Sequence, residues 1–168
     1  GTTAGPLSRE LVWMDRTGKR LGIVGQPGTV GTAALSPDEK MISFAITNPG
    51  GDTADLWLHD VARGVPSRFT FRPGLSRDGV WSPDGSRIVF GSLRNGKWGL
   101  YEKAASGTGA EQLLVESDLP KMPMAWSPDG KLLAYWVNDP KTAWDQWILP
   151  IGGDRKPSPM LQTTFNEN

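Results

Sequence analysis

One histidine, His59, stands in this chain of 168 residues, with Asp60 directly after it, and there is no cysteine. A serine hydrolase needs an imidazole positioned by a carboxylate beside its nucleophile, so His59 and Asp60 are the weak catalytic candidates the sequence offers. Ser82 and Ser127 are the serines in view, but both stand in repeated turns and no Gly-x-Ser-x-Gly elbow occurs. Metal-assisted hydrolysis would have to draw on Asp38, Asp84 and Asp129, one per repeat, without an Asp-x-Asp-x-Asp-Gly loop or paired histidines. A chain without thiols forms neither a disulfide nor a thiolate zinc site. No metal and no cofactor are therefore expected. Weak or promiscuous metal-assisted hydrolysis of an ester or phosphoester, at a loop face or dimer cleft where copies of these loops converge, is the alternative reading to a binding role.

Eight tryptophans form the second chemical resource. Trp13, Trp57, Trp81, Trp126 and Trp147 recur with a repeat, which assigns them to packing. Trp98, Trp136 and Trp144 fall at non-equivalent places. With Arg94, Asn95 and the loop 138–143 they are the candidate ligand surface, because loops carry variation on a rigid frame. Three such rings also motivate a carbohydrate-binding reading.

The elements that position these residues follow from a repeat. Leu35-Ser36-Pro37-Asp38, Trp81-Ser82-Pro83-Asp84-Gly85 and Trp126-Ser127-Pro128-Asp129-Gly130 place their serines 46 and 45 residues apart, the period of one propeller blade. In such a turn proline presets φ, Ser and Asp bond nearby backbone N–H groups, and glycine takes the left-handed corner. Ser36, Asp38, Ser82, Asp84, Ser127 and Asp129 are thus structural. Glu39 stands where glycine is expected, so this turn either is of a type that tolerates a side chain or holds a mildly strained left-handed residue.

Alternating apolar runs follow each turn: Met41–Ala45, Arg87–Phe90 and Leu132–Trp136. Third strands are predicted at Asp55–Leu58, Trp98–Tyr101 and Asp145–Ile148, with Glu10–Trp13 matching them near the start. Fourth strands are predicted at Ser67–Thr70, Glu111–Leu114 and Pro159–Gln162, with Arg20–Val24 in the first unit. This predicts an all-β chain of about 14 strands: a partial blade of two outer strands over 1–30, then four-stranded antiparallel blades over 31–74, 75–118 and 119–168, in one continuous domain.

A Trp-Ser-Pro-Asp-Gly turn, an apolar strand and then an Asp-x-Tyr/Trp strand resemble the TolB-like β-propeller repeat, a relative of WD-type repeats. The loop style around Leu11–Gly18 and Ser67–Phe71 is similar to the sensor propellers that follow bacterial serine/threonine kinase domains. The pattern departs at Leu35 and Glu39, and at Gly99, where an acidic residue is expected and one anchoring hydrogen bond is therefore missing. The resemblance implies protein or peptide binding at the loop face or central channel, a periplasmic or extracytoplasmic setting, and no catalytic residue.

Eighteen basic and 18 acidic residues cancel and are scattered, so nucleic acid is not an expected partner. No run approaches the roughly 20 apolar residues that span a bilayer, and the polar start without an initiating Met reads as part of a longer chain. Propellers close with about four to eight blades, more than this chain supplies. An open arc leaves two apolar blade faces in water, which predicts a homodimer of two arcs.

Overall fold

The computed structural model describes residues 9–161 and is built of strands, 13 of them among the described residues. They are β1 (Arg9–Met14), β2 (Arg20–Leu35), β3 (Met41–Thr47), β4 (Ala54–Asp60), β5 (Pro66–Arg68), β6 (Leu75–Trp81) and β7 (Arg87–Arg94). β8 (Lys97–Ala104), β9 (Gln112–Ser117), β10 (Lys121–Trp126), β11 (Leu132–Asp139), β12 (Ala143–Pro150) and β13 (Ser158–Leu161) follow. Gln162, read as the end of the last strand, lies outside the described residues.

Fourteen expected strands become thirteen because β2 does two jobs. Its first part pairs antiparallel with β1, as in Val12 with Ile23, and its last part pairs with β3, as in Leu35 with Ile42. The repeat places a boundary at residue 30, between the partial blade and the first full one, but Gly25 takes a φ of 71° within a strand that continues. A single glycine supplies the bend and the ladder resumes.

The other strands form meanders. β2 to β5 run side by side, as do β6 to β9, and β10 to β13 form a separate four-stranded sheet. The first two units touch through one parallel bridge, Ala54 with Leu75. Side chains do most of the joining between units. Leu56, Leu58, Phe69, Ile88, Phe90 and Tyr101 form one buried cluster between the first pair, with Trp81 packed against it. Val89, Leu100, Leu133, Tyr135 and Leu149 form another between the second pair, with Trp126 and Trp147 against it. Each such apolar side chain is worth about 1.5–3 kcal/mol when buried.

The packing role assigned to the repeating tryptophans is visible at Trp81, which stands before its turn. Its indole N–H donates to the Ala34 carbonyl at 3.2 Å, crossing from one unit to the next. Gly91 on β7 sits where a Cβ would come within 2.6 Å of the Lys121 carbonyl on β10. The second and third units approach each other that closely.

Candidate binding surfaces

The repeated turns are built alike in all three copies. Ser36 Oγ donates to Asp38 Oδ1 at 2.7 Å, Ser82 to Asp84 at 2.6 Å and Ser127 to Asp129 at 2.6 Å. Each serine oxygen also accepts the backbone N–H five residues on, at Met41, Arg87 and Leu132. The hydroxyls are therefore committed on both sides. Each Asp Oδ1 also accepts the backbone N–H two residues later. These bonds favour the charged carboxylate. The Ser82 hydroxyl, then the Ser86 N–H and hydroxyl, hold Asp84 at about 2. Asp38 and Asp129 are lowered in the same way, chiefly by Ser36 and Ser127. Glu39 has a φ of 60°, beside 69° at both Gly85 and Gly130, so the first turn keeps the glycine conformation with a side chain in it.

His59 is not a solvated end residue: it is 5% exposed on β4, between backbone partners on β3 and β5. Burial follows from position, since its neighbours on both sides are paired strands. The Asp60 carboxylate turns away to accept the N–H groups of Ala62 and Arg63 at 3.0 and 2.9 Å. Among the described residues no three His, Asp or Glu side chains gather into a set fit for a metal ion.

The five residues read as a ligand surface do not form one patch. Asn95 and Gly96, with φ of 50° and 78°, make the two-residue turn between β7 and β8, the left-handed pair that a tight hairpin requires. Arg94 is largely buried, 2.8 Å from Glu111 and with its guanidinium 3.8 Å from the Tyr101 ring centroid. Trp98 lies under Arg77 at 5.2 Å. Trp136 and Trp144 meet, their ring centroids 6.0 Å apart, on a blade face and not on a loop.

That face is one of two. On β11 and β12 the register pairs Ala134 with Ile148 and Asn138 with Trp144. Strand alternation puts these, with Leu132 and Trp136, opposite the buried Leu133, Tyr135 and Val137. At the other end of the arc, Leu11 and Val24 pack inward toward Ile42. Val12, Met14, Leu21 and Ile23 take the outer face of the hairpin, with Leu21 64% and Ile23 45% exposed.

A third surface was not read from the sequence as a site. At the turn end of the inner strands, Ala34, Val80 and Ala125, then Leu35, Trp81 and Trp126, then Pro37, Pro83 and Pro128 line one open crevice of about 420 Å³, joined by Met124. Its lining is the repeat itself, sampled three times. The signal was present in the turn alignment, had the residues before the serine been read as a shared wall.

At Gly99 the structure gives the reason for the missing acid. An added Cβ would stand 2.9 Å from the Tyr101 ring and 3.0 Å from Leu113. In the first unit Asp55 anchors Thr70 at 3.0 Å and Arg68 at 2.7 Å. In the second, the Arg94 and Glu111 pair spans the same sheet.

Four-stranded meanders joined by packed faces, each opening on the same turn, define an arc of a β-propeller. The chain belongs to the TolB beta propeller domain family, whose model it matches over residues 10–165. The fold is similar to TolB from Acinetobacter baumannii, with a TM-score of 0.73 at 19% identity over 88% of this chain and 36% of that one. It is also similar to an Agrobacterium tumefaciens protein assigned to TolB, with a TM-score of 0.67 at 20% identity over 91% of this chain and 60% of that one. In sequence it is 32% identical over 90 residues to the uncharacterized peptidase YuxL of Bacillus subtilis, covering 51% of this chain and 13% of that protein. The chain thus spans 60% or less of the length of each of these relatives.

Proposed function

We propose that this chain is a non-catalytic propeller scaffold that completes its ring by pairing with a second copy of itself and offers its turn-side crevice to a protein or peptide. The observation that carries the reading is the pair of apolar blade faces at the two ends of the arc. Both are flat strand surfaces without a covering layer among the described residues. The hairpin face leaves Met14, Leu21 and Ile23 exposed, and the β11–β12 face leaves Leu132 exposed beside half-buried Trp136, Trp144 and Ile148, apolar side chains of the kind that an interface covers. A two-fold axis sets the hairpin face of each chain against the β11–β12 face of the other, giving two equal junctions and about seven blade-equivalents.

The light-scattering mass of the eluting peak tests this. The expected value is twice the chain mass, falling to the single-chain mass in the double variant Ile23→Glu and Ile148→Glu. A wild-type chain that elutes at the single-chain mass throughout would sink the pairing. The finer resemblance, to a sensor propeller carried by a bacterial kinase, fits a binding role of this kind.

A second reading has one observation in its favour, the similarity to a protein named as a peptidase. In that reading the arc is the propeller part of a larger hydrolase, with the chemistry elsewhere. Solution mass separates the two: a propeller part of a larger hydrolase stays at the single-chain mass and turns over no peptide or ester substrate by itself, whereas the self-pairing scaffold runs at twice that mass.

A further inference from the structure

The second and third units enclose a half-open cavity of about 220 Å³ between β9, β11 and β12, and Lys121 is one of the residues that line it. Lys121 opens β10 and is 3% exposed. Val115, Leu119, Val137 and the rings of Tyr135 and Trp147 make the apolar part of the lining, with Glu116 and Ser117 on the same wall.

The bonds of Lys121 are unusual for a lysine. Its Nζ donates to Ser117 Oγ and to the Leu119 carbonyl, the latter at 3.1 Å. Both acceptors are neutral. An ammonium carries three N–H donors, whereas a free amine carries two and a lone pair, so two acceptors match both donors of the free amine and leave its lone pair to react. Near pH 7 the ammonium still predominates, because burial lowers the value only to about 8, but the free-amine share is far above that of an exposed lysine. Asp118, the acid that favours the ammonium, is itself ion-paired with Lys97. Glu116 is exposed, and burial raises the Tyr135 phenol to about 12, so it stays neutral.

We propose that Lys121 is a carbonyl-reactive amine whose cavity takes a small one-ring or branched aldehyde. The cavity is smaller than the roughly 300–1,000 Å³ of drug-sized pockets, which limits the guest to about one ring. Tyr135 and Trp147 supply ring faces for it. The chemistry is condensation: the Nζ lone pair adds to the carbonyl carbon, the carbinolamine loses water, and an imine joins Nζ to the former aldehyde carbon. No oxidant or reductant enters that step. Desolvation is the ordinary route to a nucleophilic lysine, and burial brings Lys121 down to about 8 against the pull of Asp118.

The test uses the intact chain, benzaldehyde as probe and cyanoborohydride to trap the imine, with peptide mapping to assign the label. Lys121 is expected to be labelled at least about tenfold faster than the exposed Lys40, Lys131 and Lys141, since its free-amine fraction at neutral pH is larger. Its rate should rise with a midpoint near the value of about 8 that burial imposes. Pyrenecarboxaldehyde, too large for the cavity, should label the surface lysines and spare Lys121. Label spread over the surface lysines with Lys121 no faster than they are, or equal labelling of Lys121 by both aldehydes, would overturn the proposal. Neither readout depends on a variant that must fold.

Discussion

Ser82 is fully buried, donates to one carboxylate and accepts one backbone N–H, so its loss strands two groups at once. Ser82→Ala should destabilise the chain by about 1–2 kcal/mol, read as a lower urea midpoint with an unchanged slope. Glu39 is the opposite case. A side chain in the left-handed corner costs about 1 kcal/mol, and Glu39→Gly relieves it, so a gain of about 0.5–1 kcal/mol is expected from the same measurement. Acid should act through the turn aspartates. Their folded values lie below the unfolded value of about 4, so their contribution is complete above about pH 4. It is lost as pH falls toward the folded value of about 2 at Asp84. Thermal unfolding should show a plateau above about pH 4 and a decline below it, shallower in Asp84→Asn.

The same turns show what the sequence discloses and what it withholds. A turn whose bonds all lie within five residues is written in adjacent letters, which is why Ser36, Ser82 and Ser127 were legible with their aspartates. Asp78 was not. It holds a φ of 58° and accepts a bond from Thr32 Oγ1 at 2.7 Å, tying β6 to β2 across 46 positions. Lys121 was equally hidden, since a cavity wall is assembled from three strands. His59 and the Trp136–Trp144 pair were visible as residue types, but their burial and their face depend on which strands cover them.

At the scale of elements, alternation and turn spacing revealed the strands of the three repeats, because period-two patterns are local. The continuous β2 was concealed because the repeat places a boundary inside it, and only the neighbouring strands decide whether the ladder resumes. Packing between elements gives a sharper test. Gly91→Ala places a methyl against the Lys121 carbonyl, and rigid backbone on both sides cannot yield cheaply. A loss of about 2 kcal/mol or more is expected, with the Trp126 fluorescence environment altered. Gly22 has nothing within 4 Å of its Cβ position, so Gly22→Ala should leave stability nearly unchanged.

For the whole molecule, the prediction concerns concentration. If two arcs share their end faces, the melting temperature rises with chain concentration by mass action. The double variant Ile23→Glu and Ile148→Glu should abolish that dependence while keeping strand content in circular dichroism. Melting curves over a hundredfold dilution series check both. A wild-type melting temperature independent of dilution would count against paired arcs.

The single backbone bridge between the first two units, Ala54 with Leu75, has a mechanical consequence. Within a unit, pulling the strands apart must break a whole ladder. Between units it meets chiefly side-chain contacts, such as Lys103 Nζ on the Phe69 carbonyl and the Trp81 indole on Ala34. Tension across the arc should therefore separate intact modules at their seams before any sheet unravels, and a lineage could insert or delete a module there without rewriting the strands on either side.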